Sequence, residues 1–207
     1  MKKRIAVLVS GGGTNLQALL EAEEAGKIPH GEIALVISNK ADAYALERAR
    51  KFGVPCGVIT RKECGSREAF EEMLQAVLER NGTELIILAG FMAILSENFT
   101  SKWPKRILNV HPSLIPSFCG DGFYGLKVHE AALNYGVKVT GATVHFVNEI
   151  PDGGEIIAQK AVEILEGDTP EILQRRVMEQ AEWKLLPQAA AMLCEEIRLE
   201  KERKSEG

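Results

Sequence analysis

The sequence predicts an α/β fold with a doubly wound, mostly parallel sheet. Short apolar runs alternate with helical patterns between residues 4 and 111, and short turns join them. Such alternation is typical of parallel strands linked by right-handed crossover helices. Beyond residue 111 the pattern changes to two strands around a tight turn, followed by a long helical tail. We therefore expect one domain over residues 1–207, with antiparallel strands and a helix in its C-terminal part.

The first three strands are expected at residues 4–9, 31–38 and 56–60. Each is a short run rich in apolar residues, as the strands of buried parallel sheets are. Helical patterns separate them at 15–25 and 41–53, and a glycine follows the first and ends the second. Glycine is favoured at helix C-termini, so both helices have a plausible end.

The middle of the chain continues the alternation. A helix is expected at 66–82, and strands are expected at 84–90 and 106–111. The glycine-rich segment 117–125 has the composition of a loop, and a further helix is expected at 127–136. This loop would separate the parallel part of the sheet from the C-terminal strands.

The C-terminal part is predicted to hold antiparallel strands at 139–148 and 154–164, around the turn sequence EIPDGG. Residues 169–201 are rich in helix formers and predict a helical tail. Because proline lacks a backbone N–H, we expect this tail to be interrupted near Pro187.

Composition excludes several classes of function. The formal net charge of −4 does not favour a nucleic-acid or anionic-membrane partner, and no apolar run approaches the length of a membrane span. The N-terminus lacks the long apolar region of a signal peptide. The four cysteines form no CxxC pair and no zinc-type spacing. We expect a cytoplasmic protein that binds small molecules and no metal.

A glycine loop, Ser10–Asn15, joins the first strand to the first helix. Free N–H groups at a helix N-terminus attract phosphate or carboxylate. A dinucleotide fingerprint fails, because Leu16 stands where its third glycine belongs and residues 38–40 supply no acid. A Walker A loop fails as well, because no Gly-Lys-Ser/Thr follows. A single phosphate suits the loop, and the alternative is a tight turn without a ligand.

Two polar side chains end the strand at 106–111. Asn109 and His111 alternate, so they share one face, and Pro112 stops the strand behind them. The turn that contains Asp152 is expected to bring a carboxylate beside them, which would favour the charged imidazole. An amide and an imidazolium aimed at one point would stabilise an oxyanion. The alternatives are a capping histidine and an ordinary Asp-Gly-Gly turn.

The remaining histidines give weaker signals. His30 lies beside a turn, His129 lies in a predicted helix, and His145 lies in a strand with no obvious partner. No serine or cysteine is paired with a histidine in the sequence, so direct attack by a substrate amine is the simplest chemistry for an acyl-transfer site.

Several motifs together resemble one known family. VLVSGGGTNLQALL, ISNKADAYALERA, SREAF, LAGFMAIL, LNVHPSLIP and VHFVNEIPDGGEII occur in the order found in phosphoribosylglycinamide formyltransferases, from residue 4 to about 187. The resemblance implies a Rossmann-like formyltransferase fold. It also implies transfer of a formyl group from 10-formyltetrahydrofolate to the amine of a phosphoribosylglycinamide, in purine synthesis. Residues 1–105 would form the phosphoribosyl-binding half, and 106–207 the catalytic and folate half.

The resemblance also assigns site residues. Asn109 and His111 would polarise the formyl oxygen, and Asp152 would tune the histidine and relay a proton. The residues assigned to the nucleotide substrate are Gly12, Gly13, Thr14, Asn15 and Glu182. The residues assigned to the folate are Arg67, Met92, Ala93, Ile94, Leu95, Asn109, Asn148, Glu149, Ile150, Pro151 and Asp152.

The chain departs from the family pattern in four places. Ala93 stands where the family often has arginine, and Trp183 stands where it usually has histidine. The loop after Pro116 is several residues longer, and one residue is added between Arg176 and Glu182. None of these departures is expected to touch the set Asn109, His111 and Asp152.

Other functions fit less well. A formyltetrahydrofolate hydrolase would use water as the acceptor, and its family carries an extra N-terminal domain. Methionyl-tRNA formyltransferases carry a C-terminal tRNA-binding domain. A nicotinamide oxidoreductase fails on the glycine fingerprint, and an inert binding module would have no need of the amide, imidazole and carboxylate together. We expect a monomer or a homodimer.

Overall fold

The computed structural model describes residues 2–205 and contains a seven-stranded sheet in the order β3-β2-β1-β4-β5-β6-β7. The strands are β1 (Lys3–Val9), β2 (Gly31–Ser38), β3 (Cys56–Val58), β4 (Leu85–Leu88), β5 (Ile107–His111), β6 (Val139–Phe146) and β7 (Ile156–Glu163). The first five run parallel, and β6 pairs antiparallel with both β5 and β7. The predicted fold class and all seven strands are confirmed.

Eight α-helices surround the sheet within the described part of the chain. They are α1 (Thr14–Glu24), α2 (Ala45–Lys51), α3 (Arg61–Cys64), α4 (Arg67–Asn81), α5 (Glu97–Thr100), α6 (Leu126–Tyr135), α7 (Pro170–Val177) and α8 (Trp183–Ser205). The short helices α3 and α5 were not expected. Helix α2 begins at Ala45 rather than at 41, because the Ala45 N–H donates to the Gly11 carbonyl and the preceding residues turn.

The prediction of a break near Pro187 is wrong. Pro187 lies inside α8, which runs past the predicted end at 201. The irregularity comes earlier, as a π-helical turn over Met178–Glu182 in which the Trp183 N–H donates to the Met178 carbonyl. That bond spans five residues instead of four, so one extra residue is accommodated in the turn.

The central strands of the sheet are buried on both faces. Alternate residues of β1 serve different cores: Ile5 and Val7 join the cluster that contains residues of α1 and α8, and Ala6 and Leu8 join the cluster that contains residues of α4. This period of two is the pattern of a strand with two covered faces. Within residues 2–205, none of the helices combines the length and apolar character needed to cross a bilayer.

Candidate active site

Strand β5 carries two polar residues at the end where parallel strands deliver ligand-binding groups. Asn109 and His111 lie two residues apart and so face the same side, and His111 is the last residue of the strand. Pro112 follows and cannot donate to the ladder. Open α/β sheets bind ligands at the carboxyl ends of their strands, so the fold places both side chains at that edge.

The turn after β6 brings a third group. Asp152 has a φ of 54°, a left-handed conformation that aspartate tolerates better than most residues. The two residues that follow must be glycines, because neither position has room for a Cβ atom. A Cβ at Gly153 would lie 2.6 Å from the Ile150 side chain, and one at Gly154 would lie 1.8 Å from the Phe146 carbonyl. The DGG sequence therefore packs the turn tightly and presents the carboxylate.

The structure brings the three residues together. The Oδ2 atom of Asp152 lies 3.3 Å from His111 Nδ1, and its Oδ1 atom accepts from Asn109 Nδ2 at 3.5 Å. His111 is 4% exposed, so its polar contacts are largely shielded from water. Both Asp152 contacts are long, which leaves the Asn109 N–H, and the Nδ1–H that His111 carries when its ring is protonated, available to a ligand oxygen.

Burial and the neighbouring groups act in opposite directions on this cluster. Burial lowers the pKa of His111, and the Asp152 carboxylate and the Phe118 carbonyl oppose that change. Burial alone would raise the pKa of Asp152, but His145, the Gly120 N–H and His111 outweigh burial and hold the pKa below its usual range. Asp152 is therefore ionised at neutral pH, and negative charge arriving beside His111 would favour the imidazolium.

The segment 117–125 contacts this cluster directly. The expectation that no departure from the family pattern touches Asn109, His111 and Asp152 is therefore wrong. The Nε2 atom of His111 lies 2.8 Å from the Phe118 carbonyl oxygen, and the Gly120 N–H donates to Asp152 Oδ2 at 2.9 Å. The Phe118 ring packs edge-on against Phe123 and Tyr135. The longer loop thus holds both ends of the His111–Asp152 pair through its main chain.

His145 also belongs to the cluster, although no partner for it was evident from its strand. Strands β5 and β6 pair with Asn109 opposite His145. The Nε2 atom of His145 lies 3.2 Å from Asn109 Nδ2 and 3.5 Å from Asp152 Oδ1. Its Nδ1–H donates to the Phe146 carbonyl at 2.7 Å. Only the antiparallel register, which sequence periodicity does not specify, reveals this contact.

His129 lies in α6 and is fully buried. Among the described residues, neither of its ring nitrogens has a hydrogen-bond partner. Burial lowers its pKa to about 4, and the nearby His111 contributes in the same direction. His129 therefore stays neutral beside the cluster across the physiological pH range.

The glycine loop leaves the first turn of α1 open. Gly13 has a φ of 73°, and a Cβ there would lie 2.6 Å from Ala45, so this position requires glycine. Gly12, in contrast, has nothing within 4 Å of its Cβ position. No side chain caps α1, and its first turn holds no acid. The free N–H groups of Thr14 and Asn15 are therefore suited to an anion.

Glu182 lies against this loop. Asn15 Nδ2 donates to Glu182 Oε2 at 2.7 Å, and Thr14 Oγ1 lies 3.7 Å from the sulfur of Met178 in the π-helical turn. Glu182 is 6% exposed, and burial raises its pKa to about 7 despite the bond from Asn15. The predicted nucleotide-site residues are thus neighbours. Trp183, next in the chain, faces a separate cavity of about 480 Å³ between α1 and α8.

Part of the predicted folate set lines one cavity of about 400 Å³. Arg67, Met92, Ala93 and Ile94 border it, and the Met92 N–H donates to Ser10 Oγ at 2.8 Å, which ties this segment to the glycine loop. Leu95 is buried in the core instead, so its side chain lies away from the cavity.

The residues before Asp152 form an exposed turn. The Ile150 N–H donates to Asn148 Oδ1 at 3.0 Å, and Glu149 lies beside Asn148 on the rim of a shallow cavity. The Ile150 side chain is 57% exposed, and Pro151 is exposed as well. This turn therefore offers an apolar surface next to the Asp152 carboxylate.

Comparisons with known proteins agree with this architecture. The model of the formyl transferase family matches residues 3–190. The phosphoribosylglycinamide formyltransferase of Haemophilus influenzae is 43% identical over 185 residues, which are 89% of this chain and 84% of that protein. The glycinamide ribonucleotide transformylase 1 structure from Symbiobacterium toebii has a TM-score of 0.87 at 45% identity, covering 94% of this chain and 88% of that one.

A longer relative is similar as well. The trifunctional purine biosynthetic protein adenosine-3 of Bos taurus is 47% identical over 194 residues. Those residues are 93% of this chain but 18% of that protein, so this chain spans about a fifth of the trifunctional relative. The family match, the Haemophilus influenzae and Symbiobacterium toebii relatives and the cluster at the strand ends agree, and this chain belongs to the phosphoribosylglycinamide formyltransferase family.

Proposed function

We propose that this protein transfers the formyl group of 10-formyltetrahydrofolate to the amine of N1-(5-phosphoribosyl)glycinamide. The observation that carries the proposal is the convergence of Asn109, His111 and Asp152 at the carboxyl end of β5. A formyl carbon presented there meets two N–H donors and one carboxylate, which is the apparatus that acyl transfer to an amine needs.

The substrate amine attacks the formyl carbon and forms the new C–N bond, and the carbonyl oxygen becomes negative. We assign Asn109 Nδ2–H and the Nδ1–H of the protonated His111 ring to this oxygen, because the Nε2–H already donates to the Phe118 carbonyl. Asp152 accepts a proton from the attacking amine, directly or through water. Collapse then breaks the bond to N10 of the folate, which takes up the proton from Asp152, directly or through water, as tetrahydrofolate leaves.

The nucleotide substrate needs a site for its phosphate and a site for its amine. The open first turn of α1, from Gly12 to Asn15, suits a phosphate. Glu182, which accepts a hydrogen bond from Asn15, suits the glycinamide amine once the glutamate carboxyl is ionised. The folate would lie along Arg67, Met92–Ile94 and the exposed 148–151 turn, so both halves of the chain would contribute to its binding.

We place this reaction in purine synthesis and in the cytoplasm, with small molecules as ligands and the protein as a monomer or a homodimer. The names of the relatives support the pathway, and the four cysteines, all of them free thiols, support a reducing compartment.

A deformylation assay tests the proposal. Purified protein is mixed with 10-formyltetrahydrofolate, with and without phosphoribosylglycinamide, and the absorbance change of formyl loss is followed. Formyl loss only with the nucleotide supports the transferase. Loss without the nucleotide would instead assign a hydrolase, the second candidate, and no loss in either mixture would indicate an inert binding module. His111→Ala serves as the control for contaminating activity.

A further inference from the structure

The cavity beside the 91–95 segment carries two guanidinium groups. Arg61 and Arg67 both border it, together with the apolar side chains of Phe70, Met92 and Ile94. None of the described residues that line it is acidic. A pocket with an apolar wall and two cations favours a ligand that is apolar at one end and carries more than one negative charge at the other.

The two arginines differ in how they are held. Arg67 Nε donates to Glu71 Oε1 at 3.2 Å, and Glu71 is buried and accepts the Ser96 N–H at 2.8 Å. Arg67 is therefore fixed at one nitrogen, which leaves its two terminal nitrogens for a ligand. The guanidinium of Arg61 makes no hydrogen bond or ion pair with any residue in the described range 2–205.

The charge of Arg61 lowers the pKa of one nearby acid, Glu68. Its own backbone N–H and the Ser66 hydroxyl are the main causes of its lowered pKa, and the charges of Arg61 and Arg67 add smaller effects. Glu68 is exposed and does not border the cavity. The charge of Arg61 is therefore not neutralised within the pocket.

Ala93 also lines the cavity, and its methyl group carries no charge. We propose that Arg61 binds an additional carboxylate of the folate co-substrate, the one that a second glutamyl residue adds to the tail, while Arg67 binds the first glutamate. This inference rests on the proposed function. It makes Arg61, on α3, the residue that selects folates with extended tails, in place of an arginine at position 93.

The chemistry of arginine fits this role. A guanidinium presents N–H groups in a planar fork that matches a carboxylate. Each further glutamyl residue lengthens the tail and adds one carboxylate, so the second cation becomes useful only for the longer ligands. Because Arg61 is exposed, we expect a gain in affinity of about fivefold rather than several hundredfold.

Binding measurements test the inference without relying on turnover. Tetrahydrofolate with one or with three glutamyl residues is titrated by calorimetry into the wild-type protein, Arg61→Ala, Lys62→Ala and the double variant Arg61→Ala/Ala93→Arg. Lys62 is the matched control, because it has the same charge on the same helix and does not line the cavity. Wild type and Lys62→Ala should bind the triglutamate about fivefold more tightly than the monoglutamate.

Arg61→Ala should lose that preference while its affinity for the monoglutamate is unchanged, and Ala93→Arg should restore the preference. The inference is overturned if wild type shows no preference, if Arg61→Ala keeps it, or if Lys62→Ala loses it equally. A failure of formyl transfer in the separate deformylation assay would refute the proposed function, and the tail preference would be judged by calorimetry alone.

Discussion

His145 fixes the orientation of the Asn109 amide. The Asp152 carboxylate can only accept, so the Asn109 atom that faces it at 3.5 Å must be Nδ2. His145 Nδ1–H donates to the Phe146 carbonyl, so in the neutral ring Nε2 is the acceptor for the same amide at 3.2 Å. One amide hydrogen is therefore held by His145, and the other, which makes only the long 3.5 Å contact with Asp152, faces the proposed reaction site.

Loss of His145 should impair catalysis more than it impairs binding. We expect His145→Ala to lower kcat by about 10- to 100-fold with a small change in KM, because a misoriented amide no longer meets the oxyanion. His145→Gln, whose Oε1 can accept the same N–H, should keep more of the rate. Steady-state kinetics with a thermal melt on each variant measure both effects. Equal rates in the alanine and glutamine variants would contradict this role.

Removal of either proposed oxyanion donor should lower the rate severely. Asn109→Ala and His111→Ala are each expected to lower kcat by about 10²–10³-fold, the usual effect of losing such a donor. Circular dichroism should show that both variants remain folded. Near-normal turnover in both would mean that the formyl oxygen lies elsewhere.

The 117–125 loop offers a matched pair of glycines. Gly120 and Gly122 have φ angles of 84° and 87°, and neither has a heavy atom within 4 Å of its Cβ position. Alanine at either position strains the backbone by about 1 kcal/mol. Because only Gly120 donates to Asp152, we expect Gly120→Ala to lower kcat about tenfold and Gly122→Ala to leave it nearly unchanged. Kinetics of the two variants side by side decide the matter, and equal losses would mean that the loop acts only through its overall shape.

Glu182 should lower the free energy of unfolding at high pH, where its buried carboxyl is ionised. Its pKa is about 7 when folded and 4.5 when unfolded, so the folded state binds the extra proton between these values. The stability that this group contributes is fully present below about pH 4.5 and is lost as the pH rises through 7. Wild type should lose about 2 to 3 kcal/mol of unfolding free energy between pH 5 and pH 8 through this group.

Glu182→Gln should not show that loss, and it should raise KM for the nucleotide substrate because the neutral amide no longer attracts the amine. Urea unfolding at the two pH values and substrate titrations test both effects. Glu179→Gln, in the same π-helical turn but exposed, is the control. A parallel loss of stability in wild type and Glu182→Gln would show that another group is responsible.

His129 should weaken the protein in acid. Its folded pKa of about 4 lies below the unfolded value of 6.5, so the unfolded state binds more protons between the two. Stability from this group falls as the pH drops below 6.5, by about 2 kcal/mol between pH 7 and pH 5. His129→Leu should remove that part of the acid sensitivity, measured by urea unfolding at both pH values.

Local pattern predicted most of the fold, because apolar runs bounded by glycine indicate buried strands and the alternation indicates crossovers. It also placed Asn109 and His111 at a strand end, since only alternation and the position of Pro112 were needed. Tertiary contacts account for the errors. The bond from Ala45 to Gly11 decides where α2 begins, and the π-helical turn, not Pro187, carries the irregularity.

The parts of the site that the sequence did not reveal depend on groups that no side-chain pattern encodes. His145 meets Asn109 through the register of two antiparallel strands. The loop meets His111 and Asp152 through a main-chain carbonyl and a main-chain N–H, which nearly every residue possesses. Such contacts become visible only in three dimensions.

The π-helical turn preserves the angular phase of the C-terminal helix. An added residue in a regular α-helix would rotate everything after it by about 100°. That rotation would swing Glu182 away from Asn15 and turn the apolar stripe of α8 off the sheet. Because Met178–Glu182 accommodates its extra residue in a wider turn, the helical segments before and after it keep the same faces toward the sheet. A change in chain length thus stays local, and the acid that faces the glycine loop keeps its position.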